Sequence, residues 1–192
     1  MKSIAVFCGA NFGNNPVYQT KAQQLGKLLA EQNMQLVFGG GKVGLMGAIA
    51  DSVLQHGGKV IGVIPQSLVE REVAHAALTE LHVVQTMHER KALMARLAEG
   101  FIALPGGFGT LDEVCEIITW NQLGILAKPV AFYNVNNYFD KFIQLIDGGV
   151  AEGFIREEHR TNLIIEDEPE PLWRKLQTYT PVSMSKWMDS KN

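Results

Sequence analysis

Short apolar runs alternate along this chain with longer stretches whose apolar residues recur at helical spacing. The runs predict strands at 3–8, 35–38, 59–64, 81–85, 100–104, 129–133 and 162–165. The intervening periodic stretches predict helices at 16–32, 44–56, 86–98, 110–123, 137–147 and 168–177. Strands apolar on both sides, each followed by a helix, imply a parallel sheet covered on both faces. The expected fold is therefore α/β, a doubly wound parallel sheet with helices on both faces. In such folds ligands gather beyond the carboxyl ends of the strands. Gly and Pro cluster there in this chain, at Gly9 and Gly13, at 39–41, at Pro65 and at 105–109.

Composition narrows the class of protein. A chain of 192 residues with 46% hydrophobic content is long enough for one domain with a substantial core, expected over 1–178. Periodicity is lost over 179–192, which is expected to be a tail. The mean hydropathy of +0.02 fits a globular protein. A net charge of −3 gives no electrostatic case for a nucleic-acid partner. No apolar run reaches the roughly 18 residues that a membrane span requires, so no membrane partner is expected. The first residues look like a strand and not a signal peptide, and Cys8 and Cys115 are the only cysteines. A cytoplasmic location without disulfides is the expectation.

The stretch 104–116 carries the most chemistry. The apolar run Gly100-Phe101-Ile102-Ala103-Leu104 leads into Pro105-Gly106-Gly107-Phe108-Gly109-Thr110, and a helical pattern follows. A glycine-rich turn thus joins a strand end to a helix start. The first N–H groups of a helix are unpaired and attract anions. Gly106, Gly107 and Gly109 would let a phosphate approach the backbone closely. Thr110 and Glu113 also fit a capping box, with Thr110 as N-cap. A cap needs neither three preceding glycines nor further acids at Asp112 and Glu116. Glu113 is the carboxylate expected to face the glycine-rich cradle.

The other motifs admit two readings each. The 39–44 stretch, Gly-Gly-Gly-Lys-Val-Gly, matches the spacing of a dinucleotide loop but follows the second strand, and no acid for a ribose follows the third. It serves either as a tight turn or as a second anion-facing loop on the same cleft. Thr86 and Glu89 form a further capping box. Behind it Met87, Arg90, Met94 and Leu97 share a helix face. An arginine within an apolar stripe either snorkels to solvent or is buried against a carboxylate or phosphate. Lys91 adds positive charge beside it. Arg71-Glu72 alone reads as a solvated pair. The five histidines lack metal spacing, and no G-x-S-x-G elbow is present.

Taken together, three segments resemble one family. Pro105-Gly106-Gly107-Phe108-Gly109-Thr110-Leu111-Asp112-Glu113 is similar to the PGGxGTxxE signature of the LOG ("Lonely Guy") family. Met87-His88-Glu89-Arg90-Lys91-Ala92-Leu93-Met94 resembles its Met-His-x-Arg-Lys-x-x-Met helix, and the stretch 38–47 resembles its second glycine-rich loop. The similarity runs from about residue 3 to residue 165. One departure lies after the first strand, where Cys8-Gly9-Ala10-Asn11 stands in place of the frequent Cys-Gly-Ser-Ser. The resemblance implies a Rossmann-like fold, a homodimer, and cleavage of the N-glycosidic bond of N6-modified adenosine 5′-monophosphates, often AMP as well, to free base and ribose 5-phosphate. It places the two essential groups on Arg90 and Glu113. Other ligand contacts fall on Glu72, Lys91, Gly107, Phe108, Gly109, Thr110, Leu111 and Thr119. Members often carry a lysine decarboxylase label, which nothing in this sequence supports.

The chemistry of the residues agrees with that expectation. N-glycoside cleavage passes through a ribosyl cation, which a carboxylate at Glu113 would stabilise while activating water. Arg90 would hold that carboxylate. The 106–110 turn would take the 5′-phosphate, and no metal or cofactor is needed. The rivals are a non-catalytic nucleotide sensor or carrier of the same fold, and an NAD-dependent oxidoreductase, which the missing ribose acid disfavours.

Overall fold

The computed structural model describes residues 1–69 and 74–181. Seven strands form one parallel sheet: β1 (Ser3–Phe7), β2 (Gln35–Phe38), β3 (Val60–Pro65), β4 (Glu80–Val84), β5 (Gly100–Ala103), β6 (Val130–Tyr133) and β7 (Leu163–Glu166), in the order β4-β3-β2-β1-β5-β6-β7. The helices are α1 (Val17–Glu31), α2 (Gly44–Gln55), α3 (Gln66–Val69), α4 (Met87–Leu97), α5 (Phe108–Gln122), α6 (Asp140–Ala151), α7 (Glu157–Thr161) and α8 (Pro169–Gln177). The expected doubly wound, Rossmann-like α/β architecture is the one observed.

The two-sided burial of the strands produces two separate cores. Ile4 and Val6 of β1 point to one face, packing with Leu25, Leu29, Ile49 and Val53 of α1 and α2 and with Leu172 and Trp173 of α8. Ala5 and Phe7, one residue out of step, point to the other face with Met94 of α4, Val114 and Ile117 of α5, and Phe132 of β6. Alternation along a strand explains the split. Strand β4 is only half-buried because it forms an edge of the sheet.

Three boundaries differ from expectation for identifiable reasons. Helix α5 starts at Phe108, with Gly107 as N-cap, so Thr110 lies inside the first turn and does not cap it. The extended backbone of Gly107 (φ −91°, ψ −156°) opens the helix, and its carbonyl accepts the Leu111 N–H at 3.2 Å. The predicted helix at 137–147 is a 3₁₀ turn (Val135–Asn137) followed by α6. The Asn134 side chain accepts the Phe139 N–H at 2.7 Å and donates to Asp140 at 2.8 Å, which delays the helix. α6 then continues through Gly148 and Gly149, and the absent side chain at 149 leaves room for Ile155. The expected tail begins at Tyr179, and its residues 182–192 lie outside the described residues. No helix among the described residues is long and apolar enough to cross a membrane.

The strand order reverses between β1 and β5. β1 continues outward through β2, β3 and β4, and the chain then returns to place β5 on the other side of β1. The loops after β1 and β5 diverge there and leave a crevice, the usual ligand position in open α/β sheets. The Gly9 N–H bonds the Pro105 carbonyl at 3.0 Å, and the Gly9 carbonyl accepts the Leu45 N–H at 3.0 Å. The first loop is thereby fastened to both its neighbours. Gly44 is central to that fastening. Its φ is +58°, and a methyl group there would lie 2.3 Å from the carbonyl carbon of Ala10. Gly44→Ala is therefore expected to destabilise the protein by about 2–5 kcal/mol, combining left-handed strain with overpacking. Thermal and urea unfolding would measure it, and an unchanged melting temperature would mean that the first loop yields freely.

Candidate active site

A cleft of about 490 Å³ lies at this switch point. The loop after β1 (Gly9, Asn11, Phe12) and the turn after β5 with the start of α5 (Gly106, Gly107, Gly109, Thr110) both line it. Leu45 and Met46 of α2 and Leu68 of α3 add apolar surface, and Tyr18 and Tyr138 close one side. Arg90 and Glu113 also line it.

Arg90 is buried, at 8% exposure, and so is Glu113, at 7%. Arg90 Nη1 donates to Glu113 Oε1 at 2.7 Å, and Arg90 Nε donates to the Val63 carbonyl at 3.0 Å. The snorkelling alternative is thus excluded. α4 can deliver this arginine because Thr86 caps it: the Thr86 hydroxyl accepts the Glu89 N–H at 3.1 Å, and the Glu89 carboxylate accepts the Gln85 N–H at 2.8 Å. Glycine at 39 makes the seat, since a methyl group there would lie 1.9 Å from Arg90 Nη2. The 39–41 stretch is buried, and Gly40 accepts the His75 N–H at 2.9 Å. Of the two readings of that loop, close packing is the one realised.

Burial pushes the Glu113 carboxyl above the usual carboxylate range, while the charge and hydrogen bond of Arg90 pull it back down. Cys8 also borders the cleft, but burial and the Glu113 charge push its thiol far up, so it is no ready nucleophile. In the turn after β5, nothing lies within 4 Å of where a side chain would stand on Gly107 or Gly109. The first turn of α5 holds no acidic residue. Its N-terminus is therefore open to an anion from the cleft side.

The structure gathers six of the expected residues, Arg90, Glu113, Gly106, Gly107, Gly109 and Thr110, around one cavity. Glu113 sits in the second turn of α5, because the helix starts three residues earlier than a Thr110 cap would give. The other expected contacts lie elsewhere. Phe108 is 92% exposed, and Leu111 packs into the second core. Lys91 binds Asp112 at 3.1 Å and Glu116 at 3.2 Å. Burial lowers the Lys91 pKa, but the hydrogen bonds and charges of these two carboxylates outweigh it and hold Lys91 above its ordinary value. The exposed Thr119 donates to the Cys115 carbonyl at 2.8 Å. Glu72 lies outside the described residues. Sequence reasoning missed Tyr18, Leu68 and Tyr138, whose only signal was their proximity to loops that follow strands. Among the described residues no group of His, Cys, Asp and Glu could hold a metal ion.

A family model described as "Possible lysine decarboxylase" matches residues 46–176. A probable cytokinin riboside 5′-monophosphate phosphoribohydrolase of Oryza sativa subsp. japonica is 49% identical over 177 residues, covering 92% of this chain and 79% of its own. A cytokinin riboside 5′-monophosphate phosphoribohydrolase of Arabidopsis thaliana is 48% identical over 181 residues, covering 94% and 83%. This chain belongs to the LOG family. Its relatives are phosphoribohydrolases by name, and it is an enzyme of that hydrolase family. Among solved structures, the molybdenum cofactor binding protein of Rippkaea orientalis aligns with a TM-score of 0.70 at 23% identity, over 92% of this chain and 96% of its own. The molybdenum cofactor carrier protein of Chlamydomonas reinhardtii aligns at 0.69 and 19%, over 93% and 99%. At these identities the likeness concerns the fold alone.

Proposed function

We propose that this LOG family member hydrolyses the N-glycosidic bond of adenosine 5′-monophosphates, both AMP and the N6-modified cytokinin riboside 5′-monophosphates for which its relatives are named. The products are the free base and ribose 5-phosphate. The observation that carries this reading is the buried Arg90–Glu113 pair lining one cleft together with an open helix N-terminus. The 5′-phosphate takes the N–H groups of the 106–110 turn. That places the ribose toward Glu113, whose carboxylate stabilises the cation developing at C1′ and accepts a proton from the attacking water. A carboxylate raised by burial is a better base than a solvated one, and the Arg90 charge acts against burial by favouring the ionised form. Arg90 is held at both Nη1 and Nε. Its role is to fix the carboxylate and to place positive charge beside the reacting bond. The decarboxylase description does not fit these residues. A Schiff base to pyridoxal phosphate needs a lysine in the cleft, and no lysine among the described residues lines it; Lys91 is engaged by Asp112 and Glu116.

We also propose that the protein works as a homodimer. Of the apolar stretch at the end of α5, Ile117, Ile118 and Trp120 belong to the core, but Leu123 and Ile125 are 51% and 62% exposed. Leu145 of α6 and Phe154 are also exposed apolar residues. Light scattering at micromolar concentration is expected to give twice the chain mass, and a monomer would overturn the proposal.

The activity is tested by chromatography of purified protein with AMP, isopentenyladenosine monophosphate and adenosine. Free base and ribose 5-phosphate are expected from both monophosphates, with adenosine turned over far more slowly. Equal turnover of adenosine would sink the phosphate assignment, and inert monophosphates would favour a carrier of the same fold. Glu113→Gln is expected to lower kcat by roughly 10²–10³-fold, as for loss of one preorganised electrostatic group. Nucleotide affinity should change much less. Arg90→Ala is expected to be inactive, and the double variant little worse than either single, because coupled groups are non-additive. A folded Glu113→Gln protein with near wild-type kcat would refute the assignment.

A further inference from the structure

Tyr138 touches the glycine-rich turn at a point that the mechanism above does not use. Its hydroxyl donates to the Gly106 carbonyl at 2.5 Å, and its ring borders the cleft. The segment that delivers it is tightly constrained. Asn136 and Asn137 both adopt left-handed backbone, with φ of +54° and +58°. Such residues cost conformational energy and persist where the surroundings over-determine them. Here the surroundings are the Asn134 side chain, bonded to the Phe139 N–H and to Asp140, and the Asn134 N–H, bonded to the Glu166 carbonyl at 2.7 Å. The Tyr138 ring stands edge-on to Tyr18 and to the buried Phe139, with centroids 6.0 and 5.1 Å away.

The carbonyl of Gly106 and the N–H of Gly107 belong to one planar trans peptide and point in opposite directions. Turning that peptide over would swing the φ of Gly107 from −91° to a positive value. For most residues this is costly, but glycine accepts it. The glycines that admit a phosphate therefore also leave the peptide free to turn over. Once turned, it would offer the phosphate a carbonyl oxygen in place of an N–H. We propose that Tyr138 is a positioning residue: by engaging the Gly106 carbonyl it holds the Gly106-Gly107 peptide in the orientation that binds the substrate's phosphate. This rests on the assignment of that turn to the phosphate.

Tyr138→Phe tests it, because the variant keeps the ring contacts and removes only the hydroxyl. Calorimetric titration with ribose 5-phosphate and with inorganic phosphate is expected to show both Kd values weakened roughly 3- to 10-fold, the span of one lost hydrogen bond. KM for AMP should rise by a similar factor, with a smaller change in kcat. A hydroxyl that served stability alone would lower Tm and leave both Kd values in place, and that result would overturn the proposal. If the wild type binds ribose 5-phosphate yet leaves AMP intact, the activity assignment fails while the titrations still decide the role of Tyr138. If the wild type binds neither phosphate compound, the phosphate turn and the role of Tyr138 fall together.

Discussion

The Arg90–Glu113 ion pair is the constraint around which this molecule is arranged. Two charged groups removed from water lose hydration worth several kcal/mol each, and only close pairing with further hydrogen bonds offsets that loss. The protein meets the condition with a bond of 2.7 Å between the two side chains and a second bond from Arg90 to the β3 backbone. Breaking such a pair by removing one partner costs about 3–5 kcal/mol, because the survivor stays buried and uncompensated. A pair replaced by apolar residues of equal volume would often be no less stable. Stability thus gives little reason to keep both charges, whereas a reaction that passes through a cation gives a direct one.

Several local features follow from seating this pair. Residue 39 must lack a side chain, because the guanidinium occupies that space. α4 must begin at a fixed residue, which the reciprocal bonds around Thr86 and Glu89 secure. α5 must start early enough that its second turn brings Glu113 inward, and the extended Gly107 supplies that start. Three glycines that look alike in the sequence therefore do three different things. Gly39 makes room for a side chain, Gly44 lets two loops meet, and Gly107 opens a helix toward the cleft.

The same comparison shows what the sequence made legible. Seven strands and the six longer helices follow from periodicity, because burial on both sheet faces leaves a strong apolar signal. The short helices α3 and α7 span four and five residues, too few for a period to show. The start of α5 was misplaced because Thr110 and Glu113 mimic a capping box, while the true cap carries no side chain to betray it. The pairing of Arg90 with Glu113 was legible through the cost of an arginine on an apolar stripe. Tyr138 was not, since its contact with Gly106 spans 32 residues and is fixed by a turn built on left-handed asparagines. Thr119 was legible only through resemblance, Lys91 also through its place beside Arg90, and within one chain neither lines the cleft.

Fold and site carry different weight here. Carriers of the molybdenum cofactor share this architecture at TM-scores near 0.7, so a doubly wound sheet with a crevice at its switch point says only that a ligand fits there. A carrier and a hydrolase ask different things of the charge that lines the cleft. A carrier that binds a phosphorylated ligand gains from an open helix N-terminus but gains nothing from a carboxylate raised by burial, which repels that ligand whenever it ionises. Glu113 becomes an asset only if positive charge develops nearby during the reaction. On the proposed reading Arg90 resolves the conflict, because its pairing with Glu113 Oε1 offsets the carboxylate's charge toward a ground-state phosphate. Under the proposed mechanism the two halves of the cleft would act at different moments. The glycine turn would hold the substrate before the bond breaks, and the ion pair would act as it breaks. That division would account for anion-binding backbone and a buried anion lining one cavity.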